Sequence, residues 1–481
     1  MNIKENLTML MDFYELTMSN GYFEHNLKDK KVCFDMFFRK IPDGGGFAIM
    51  AGVEQLIDYI KNLSFSEEDI QYLKSRNLFS DEFLDYLKNF KFSCDVYAVP
   101  EGTPIFPGEP IVKVIGPVIE AQLIETMLLI TINHQCLIAT KANRIVRVAK
   151  GRAVMEFGSR RAQGSTGAIN GARAAYIAGC IGTACTIADK EFSIPALGTM
   201  AHSWVQIFPT EYDAFLAYAK TYPDSCTLLI DTYNVLKSGL PNAIKVFKEY
   251  LIPNGHKPAG VRIDSGDIAY LSSKVREILD SEGLNDVKIV ASNSLDEYII
   301  RDLIHQGAKI DSFGVGERLI TSRSEPVFGG VYKLTCTYDE NGNEIPKIKL
   351  SENAVKITNP CNKKVVRFYS KDNDKAIADL LMLNDEPLPD GSDYEIFSPE
   401  HTWKRKTVTN YYVKELMVPI FKDGECVYEC PPISEIRSYC ASQVDGIWDE
   451  VKRFENPHTY YVDLSRKLWD IKTELLNQHK N

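Results

Sequence analysis

The sequence predicts an α/β protein. A parallel α/β barrel, or a doubly wound parallel sheet, is joined to a mixed β-rich α+β module and ends in a helical C-terminal tail. Three observations predict this. Between about 153 and 314, short apolar, β-branched runs alternate with amphipathic helical patterns. The runs recur at spacings of roughly 20–40 residues, each followed by a polar, acidic or glycine-rich segment. The flanks are instead rich in β-formers, Pro and Gly.

The runs are AVMEF (153–157), IPAL (194–197), TLLI (227–230), GVRI (260–263), KIVA (288–291) and KIDSF (309–313). Parallel strands need crossover connections, and helices serve here. TEYDAFLAYAK starts at Thr210 and stops near Pro223, and DIAYLSSKVREIL follows Gly266 and ends near Gly283. SLDEYIIRDLIHQG carries a capping-box pattern, Ser294 with Glu297, and Gly307 as its stop. Upstream, 32–48 and 94–115 read as a β-rich module with a helix at 52–62. Residues 120–149 lack Pro and Gly and read as one long helix. Downstream, VFGGVYKLTCTYDENGNEIPKIKLS has hairpin character with Asn341-Gly342 as its turn, and 430–481 reads as a helical tail. The expected domains are 1–125, 126–322 and 323–481, the last packing partly back on the first.

The chain has 481 residues, 44% hydrophobic and 25% charged, the balance of an ordinary soluble globular protein. Neither a signal peptide nor a membrane span is expected, and a cytoplasmic location follows. The eleven cysteines lack zinc-site spacing and read as reduced core residues. A net charge of −10 argues against nucleic acid as a partner. Against that balance, Lys141, Arg144, Arg147, Lys150, Arg152, Arg160 and Arg161 form a basic run with Glu156 as its one acid. It suggests a pocket for a small anion, with a solvated helix face as the bland alternative for Lys141 to Lys150.

The segments after the runs are GSRRAQG, GTMAHS, DTYN, DSGD, SNSLDE and GVGE. In a parallel barrel these tips share one face, where ligands bind. EFGSRRAQG supplies Arg160 and Arg161 for a carboxylate or phosphate and Phe157 for a flat ring. In GVRIDSGD, Arg262 and Asp264 project to one face, and Asp264 and Asp267 could organise Mg²⁺. Asp267 could equally cap the next helix. Gly314 and Gly316 would let backbone N–H groups approach a phosphate, and the helix start near Ser294 offers another anion site. Together these pieces point to a phosphorylated anion, a metal, a flat ring and an acidic group, with His202 beside the phosphates.

EFGSRRAQG, GTMAHSWV, GVRIDSGD and DSFGVGERL, in this order and spacing, resemble nicotinate phosphoribosyltransferase. MDFYELTMSNGYF, KIPDGGGFAIMAG, EGTPIFPGEP, LMVPIFKDG and NPHTYYVDLS extend the likeness over nearly the whole chain. The resemblance implies a type II phosphoribosyltransferase fold, an irregular parallel α/β barrel joined to the mixed β-rich domain. It implies nicotinate, phosphoribosyl pyrophosphate and ATP as substrates, Mg²⁺ as cofactor, a role in NAD salvage, and a homodimer with shared active sites. It implies that His202 is transiently phosphorylated by ATP and that Thr199 contacts ligand. Phe157 and a partner subunit's Tyr14 would sandwich the pyridine ring. Arg160 and Arg262 would face nicotinate, and Arg161 the phosphoribosyl group. Asp264 would organise Mg²⁺–pyrophosphate or ribose, and Asn293, Gly314 and Gly316 the 5′-phosphate. Ala184 stands where related nicotinamide enzymes carry an acid, which suits an anionic substrate. Glu317, beside the phosphate loop, is expected to turn toward Arg318 or Arg323. The alternatives are a nicotinamide or quinolinate enzyme, or a silent nucleotide-binding relative.

Overall fold

The computed structural model describes residues 6–353, 356–399 and 401–478. The chain divides into two compact units, 138–326 and 1–137 with 327–481. The divisions fall at 137/138 and 326/327, where the sequence reading places 125/126 and 322/323.

In the 138–326 unit, five strands form one parallel sheet. In spatial order they are Ala153–Glu156, Ser312–Val315, Lys288–Ser292, Gly260–Ile263 and Thr227–Leu229. Val154, Leu228, Val261, Ile263, Ile289, Phe313 and Val315 are all buried, as expected where helices cover a parallel sheet. The sheet continues past Glu156 through single parallel bridges, Glu156 to Thr183 and Thr183 to Ala196. IPAL is thus one bridge residue and not a strand, because Pro195 has no N–H for a ladder. Thr183 is an added position that its small, unbranched neighbours conceal. The last strand lies later than KIDSF suggests, at Ser312–Val315.

Thr210 caps the Glu211–Thr221 helix by accepting the Asp213 N–H at 3.1 Å. Asp267 caps Ile268–Ser281 by accepting the Tyr270 N–H at 3.0 Å. The Glu297–His305 helix starts later than its capping-box pattern suggests. Its N-cap is Asp296, which accepts the Ile299 N–H at 2.9 Å, and Ser294 lies outside the helix. Asn293, at φ 118°, turns the chain before it. Gly307, at φ 80°, ends the helix as expected.

The long apolar stretch is helical over Val118–Gln122 and Glu125–Val148. By length and composition alone it could cross a membrane, contrary to the sequence expectation, yet 72% of its most apolar window is buried inside the protein. The basic run is also spent internally. Lys141 Nζ donates to Glu297 Oε1 at 2.6 Å and Arg144 Nε to the same oxygen at 3.1 Å, all three residues being buried. Arg152 Nε donates to the Ile310 carbonyl at 2.9 Å. The anion-pocket reading therefore fails for Lys141, Arg144 and Arg152.

In the other unit, a seven-stranded antiparallel sheet runs Glu344–Pro346, Gly330–Tyr338, Lys31–Phe38, Val112–Pro117, Asp95–Ala98, Val418–Lys422 and Glu425–Cys426. The predicted hairpin is there, with Gly342 at φ 80° in its turn. The tail is helical at Ile433–Asp445 and Arg466–Gln478, but between them Val462–Leu464 pairs parallel to Ala376–Leu383. Beside that pairing, Arg367 holds Asp379 through two bonds of 2.7 Å, both residues buried. Nine of the eleven cysteines are buried, consistent with core roles.

Glu15, on the Phe13–Glu24 helix, is buried and accepts the Thr126 N–H at 3.1 Å. Burial outweighs such bonds and lifts its carboxyl from 4.5 to about 7. The folded state therefore holds a proton that the unfolded chain loses near 4.5. Its contribution to stability is complete below that value and is lost as pH rises through about 7. Urea midpoints of Glu15→Gln, compared with the native chain from pH 5 to 8, are expected to show the native protein losing ground as pH rises. A constant difference refutes this.

Candidate active site

Residues just past the last paired position of each parallel strand turn out of the sheet at its C-terminal edge, so distant segments meet there. Arg262 is the hub. Its Nη1 donates to Thr199 Oγ1 at 2.7 Å and to the Met200 carbonyl at 3.3 Å, and its Nε donates to Ser292 Oγ at 3.0 Å. Nη2 lies 3.6 Å from Asp264 Oδ1, which also accepts the Ser292 hydroxyl. Asp264 Oδ2 lies 3.8 Å from His202 Nε2, and His202 Nδ1 lies 3.1 Å from Thr232 Oγ1. One polar network thus joins Thr199, Arg262, Ser292, Asp264, His202 and Thr232.

His202 is the first residue of the His202–Ile207 helix. Trp204 pins that helix by donating its indole N–H to the Ala214 carbonyl at 3.0 Å. The imidazole remains 40% exposed, open to a ligand. Behind Asp264, Asp231 Oδ2 accepts the Asp264 N–H at 3.0 Å and the Ser265 hydroxyl at 2.6 Å. Asp231 Oδ1 is buried without a hydrogen-bond partner. The DTYN tip marked this place, but Asp231, Thr232 and Ser292 were not singled out from sequence. Their signal was position, immediately after an apolar run.

Phe157 continues its strand by donating its N–H to the Val315 carbonyl at 2.7 Å. Its ring packs over Gly314, where a side-chain carbon would come within 2.6 Å of it. Gly314 lies in the Ser312–Val315 strand and seats the ring. Gly316 lies beyond the strand end, next to Glu317. Asn293, at φ 118°, leaves the neighbouring strand. Glu156, missed from sequence as a site element, is buried beneath this turn. It accepts the Gly158 N–H and, at 2.6 Å, the Thr183 hydroxyl. Burial pushes its carboxyl upward. Ala184 follows, exposed, its N–H on the Glu156 carbonyl at 2.8 Å.

Arg160 and Arg161 lie in a short turn, Ser159–Arg161, both exposed. Arg161 borders an open cleft of about 490 Å³ with Gln163, Glu317, Thr321 and Arg323. Glu317 Oε1 pairs with Arg323 at 3.3 Å, one of the two directions expected. Of the two readings of Asp267, the structure takes the helix cap. Tyr14 lies in the other unit and is 44% exposed, near Leu7, Leu10, Phe13 and Met18 in the chain, which are exposed as well.

Comparison with known proteins bears on this arrangement. Nicotinate phosphoribosyltransferase family models match residues 9–133 (N-terminal domain), 152–378 (family) and 362–472 (C-terminal domain). The nicotinate phosphoribosyltransferase of Bacillus subtilis is 42% identical over 99% of this chain and 96% of its own. The chain belongs to the nicotinate phosphoribosyltransferase family. A Mycobacterium tuberculosis nicotinate phosphoribosyltransferase is 36% identical over 96% of this chain and 92% of its own. The crystal structure of human nicotinic acid phosphoribosyltransferase superposes with a TM-score of 0.84 at 27% identity, covering 97% of this chain and all of that one. The α/β fold with its parallel sheet is thus that of the nicotinate phosphoribosyltransferase family.

Proposed function

We propose that this chain transfers the phosphoribosyl group of phosphoribosyl pyrophosphate to nicotinate, coupled to ATP hydrolysis through a phosphate carried on His202. The family membership supports the transfer. The observation that carries the residue assignment is the single network joining His202, Asp264, Arg262 and Thr199.

In the transfer, the bond from ribose C1′ to a pyrophosphate oxygen breaks and a bond from C1′ to the pyridine nitrogen forms. That nitrogen already holds a lone pair, so no protein base is required. The chain's task is positioning and charge stabilisation. Arg262 and Arg160 are the cations for the nicotinate carboxylate, Phe157 and a partner subunit's Tyr14 enclose the ring, and Thr199 contacts ligand. Arg161, Asn293 and Gly316 take the phosphoribosyl group. The exposed apolar side chains around Tyr14 suit a homodimer that shares its sites.

His202 accepts the γ-phosphate of ATP at an imidazole nitrogen, with release of ADP, and water later takes the phosphate. The carboxylates of Asp264 and Asp231 suit Mg²⁺, a hard cation satisfied by one or two carboxylates plus water and phosphate. The buried, unpartnered Asp231 Oδ1 is a donor left for it. When bound there, Mg²⁺ neutralises pyrophosphate charge. The product places the enzyme in NAD salvage, and a cytoplasmic location fits its substrates.

The test is pyrophosphate release from phosphoribosyl pyrophosphate with nicotinate, nicotinamide or quinolinate as acceptor. Release with nicotinate alone is expected. Preference for either other pyridine overturns the assignment.

A further inference from the structure

Two charged tethers, neither reaching the network around His202, join the segments that follow adjacent strands. Asp296 stands three residues after Asn293, and Arg318 two residues after Gly316. Arg318 Nη1 donates to Asp296 Oδ2, while Asp296 Oδ1 holds the Ile299 N–H as a helix cap. The Arg318 side chain is 27% exposed and that of Asp296 15%, and Arg318 Nε is buried without a hydrogen-bond partner. Behind them, Lys141 Nζ bridges Glu297 Oε1 at 2.6 Å and Ser324 Oγ at 2.7 Å. The same two segments are therefore tied twice, at 296–318 and at 297–141–324.

Burying such charges brings little net stability, because desolvation offsets the attraction. What a fixed pair does supply is geometry. The ties lie three and four residues after Asn293, whose φ of 118° is strained for a residue with a side chain. Such a conformation persists only when its surroundings impose it. The strand pairing between the two segments ends at Gly314 and Ser292, short of both loops.

We propose that Asp296 and Arg318 form a clamp that sets the separation of the Asn293 and Gly316 loops, making Arg318 a positioning residue for the phosphate of the phosphoribosyl substrate. Arg318 acts through Asp296 and does not itself touch the phosphate. This inference rests on the proposed function and adds the device that shapes its phosphate subsite.

The discriminating variant is Asp296→Asn. Asparagine still caps the helix, so the fold is kept while the charge on the clamp is removed. Steady-state kinetics are expected to show KM for phosphoribosyl pyrophosphate raised about tenfold, with KM for nicotinate nearly unchanged. Arg318→Met is expected to match it, Arg318→Lys to restore part of the loss, and Asp296→Asn with Arg318→Met to be no worse than either alone. The thermal midpoints of the single variants stay near that of the native chain. Unchanged KM for phosphoribosyl pyrophosphate, or equal rises in both KM values, overturns the clamp while leaving the proposed function standing. Additive losses in the double variant overturn it too. A native chain without turnover of phosphoribosyl pyrophosphate removes the proposed function and the clamp together.

Discussion

Arg262→Ala is expected to lower kcat/KM for nicotinate by about a thousandfold or more, roughly 4 kcal/mol of transition-state stabilisation. The size follows from how many segments the guanidinium joins. It holds Thr199, the Met200 carbonyl and Ser292, and lies beside Asp264, so its loss frees three strand-end segments together. It also leaves the Asp264 carboxylate without its neighbouring cation. Arg262→Lys is expected to fail nearly as badly. An ammonium is a point charge and cannot bridge three segments with a planar fork. Steady-state rates with both substrates varied decide the matter. A lysine variant within about tenfold of the native rate would sink the hub reading.

His202→Ala is expected to abolish ATP stimulation while leaving slower, ATP-independent transfer. Incubation of the native chain with γ-labelled ATP should leave acid-labile phosphate on the protein, and the variant none. The geometry separates the two reactions. His202 bonds Thr232 and faces Asp264, whereas the Phe157 ring packs over Gly314. Removing the imidazole is therefore expected to delete the proposed phosphate acceptor and to leave the packing of Phe157 on Gly314 in place. Full ATP-coupled turnover in His202→Ala would end the phospho-histidine assignment.

The strand tips were legible because their chemistry is local. An apolar run that ends in DSGD or DTYN announces both a strand and its polar mouth, and the pairing of Arg262 with Asp264 follows from two-residue spacing. The family resemblance rested on the same tips and was shown by relatives spanning the whole chain. Thr183 was not legible, since its bridge to Glu156 and Ala196 owes nothing to β-branched neighbours. Asp267 carried two readings, and the structure shows the cap, with its Oδ1 accepting the Tyr270 N–H. Gly314 reads as a phosphate glycine from its spacing to Gly316. Its role as a seat depends on Phe157, which lies more than 150 residues away in the chain.

By itself, the sequence determined the order of the five paired parallel strands along the chain, the helices after Thr210, Gly266 and Ser294 to within a few residues, and the residue types at the mouth. All of these are set by periodicity, capping and turn chemistry within about ten residues. Only the tertiary structure decided what the charges do. Lys141 and Arg144, read as part of an anion pocket or as a solvated helix face, are buried against Glu297, and Arg318 is held by Asp296. A charge's partner is chosen by three-dimensional distance, and Coulomb attraction leaves no trace in the spacing of residues 150 positions apart.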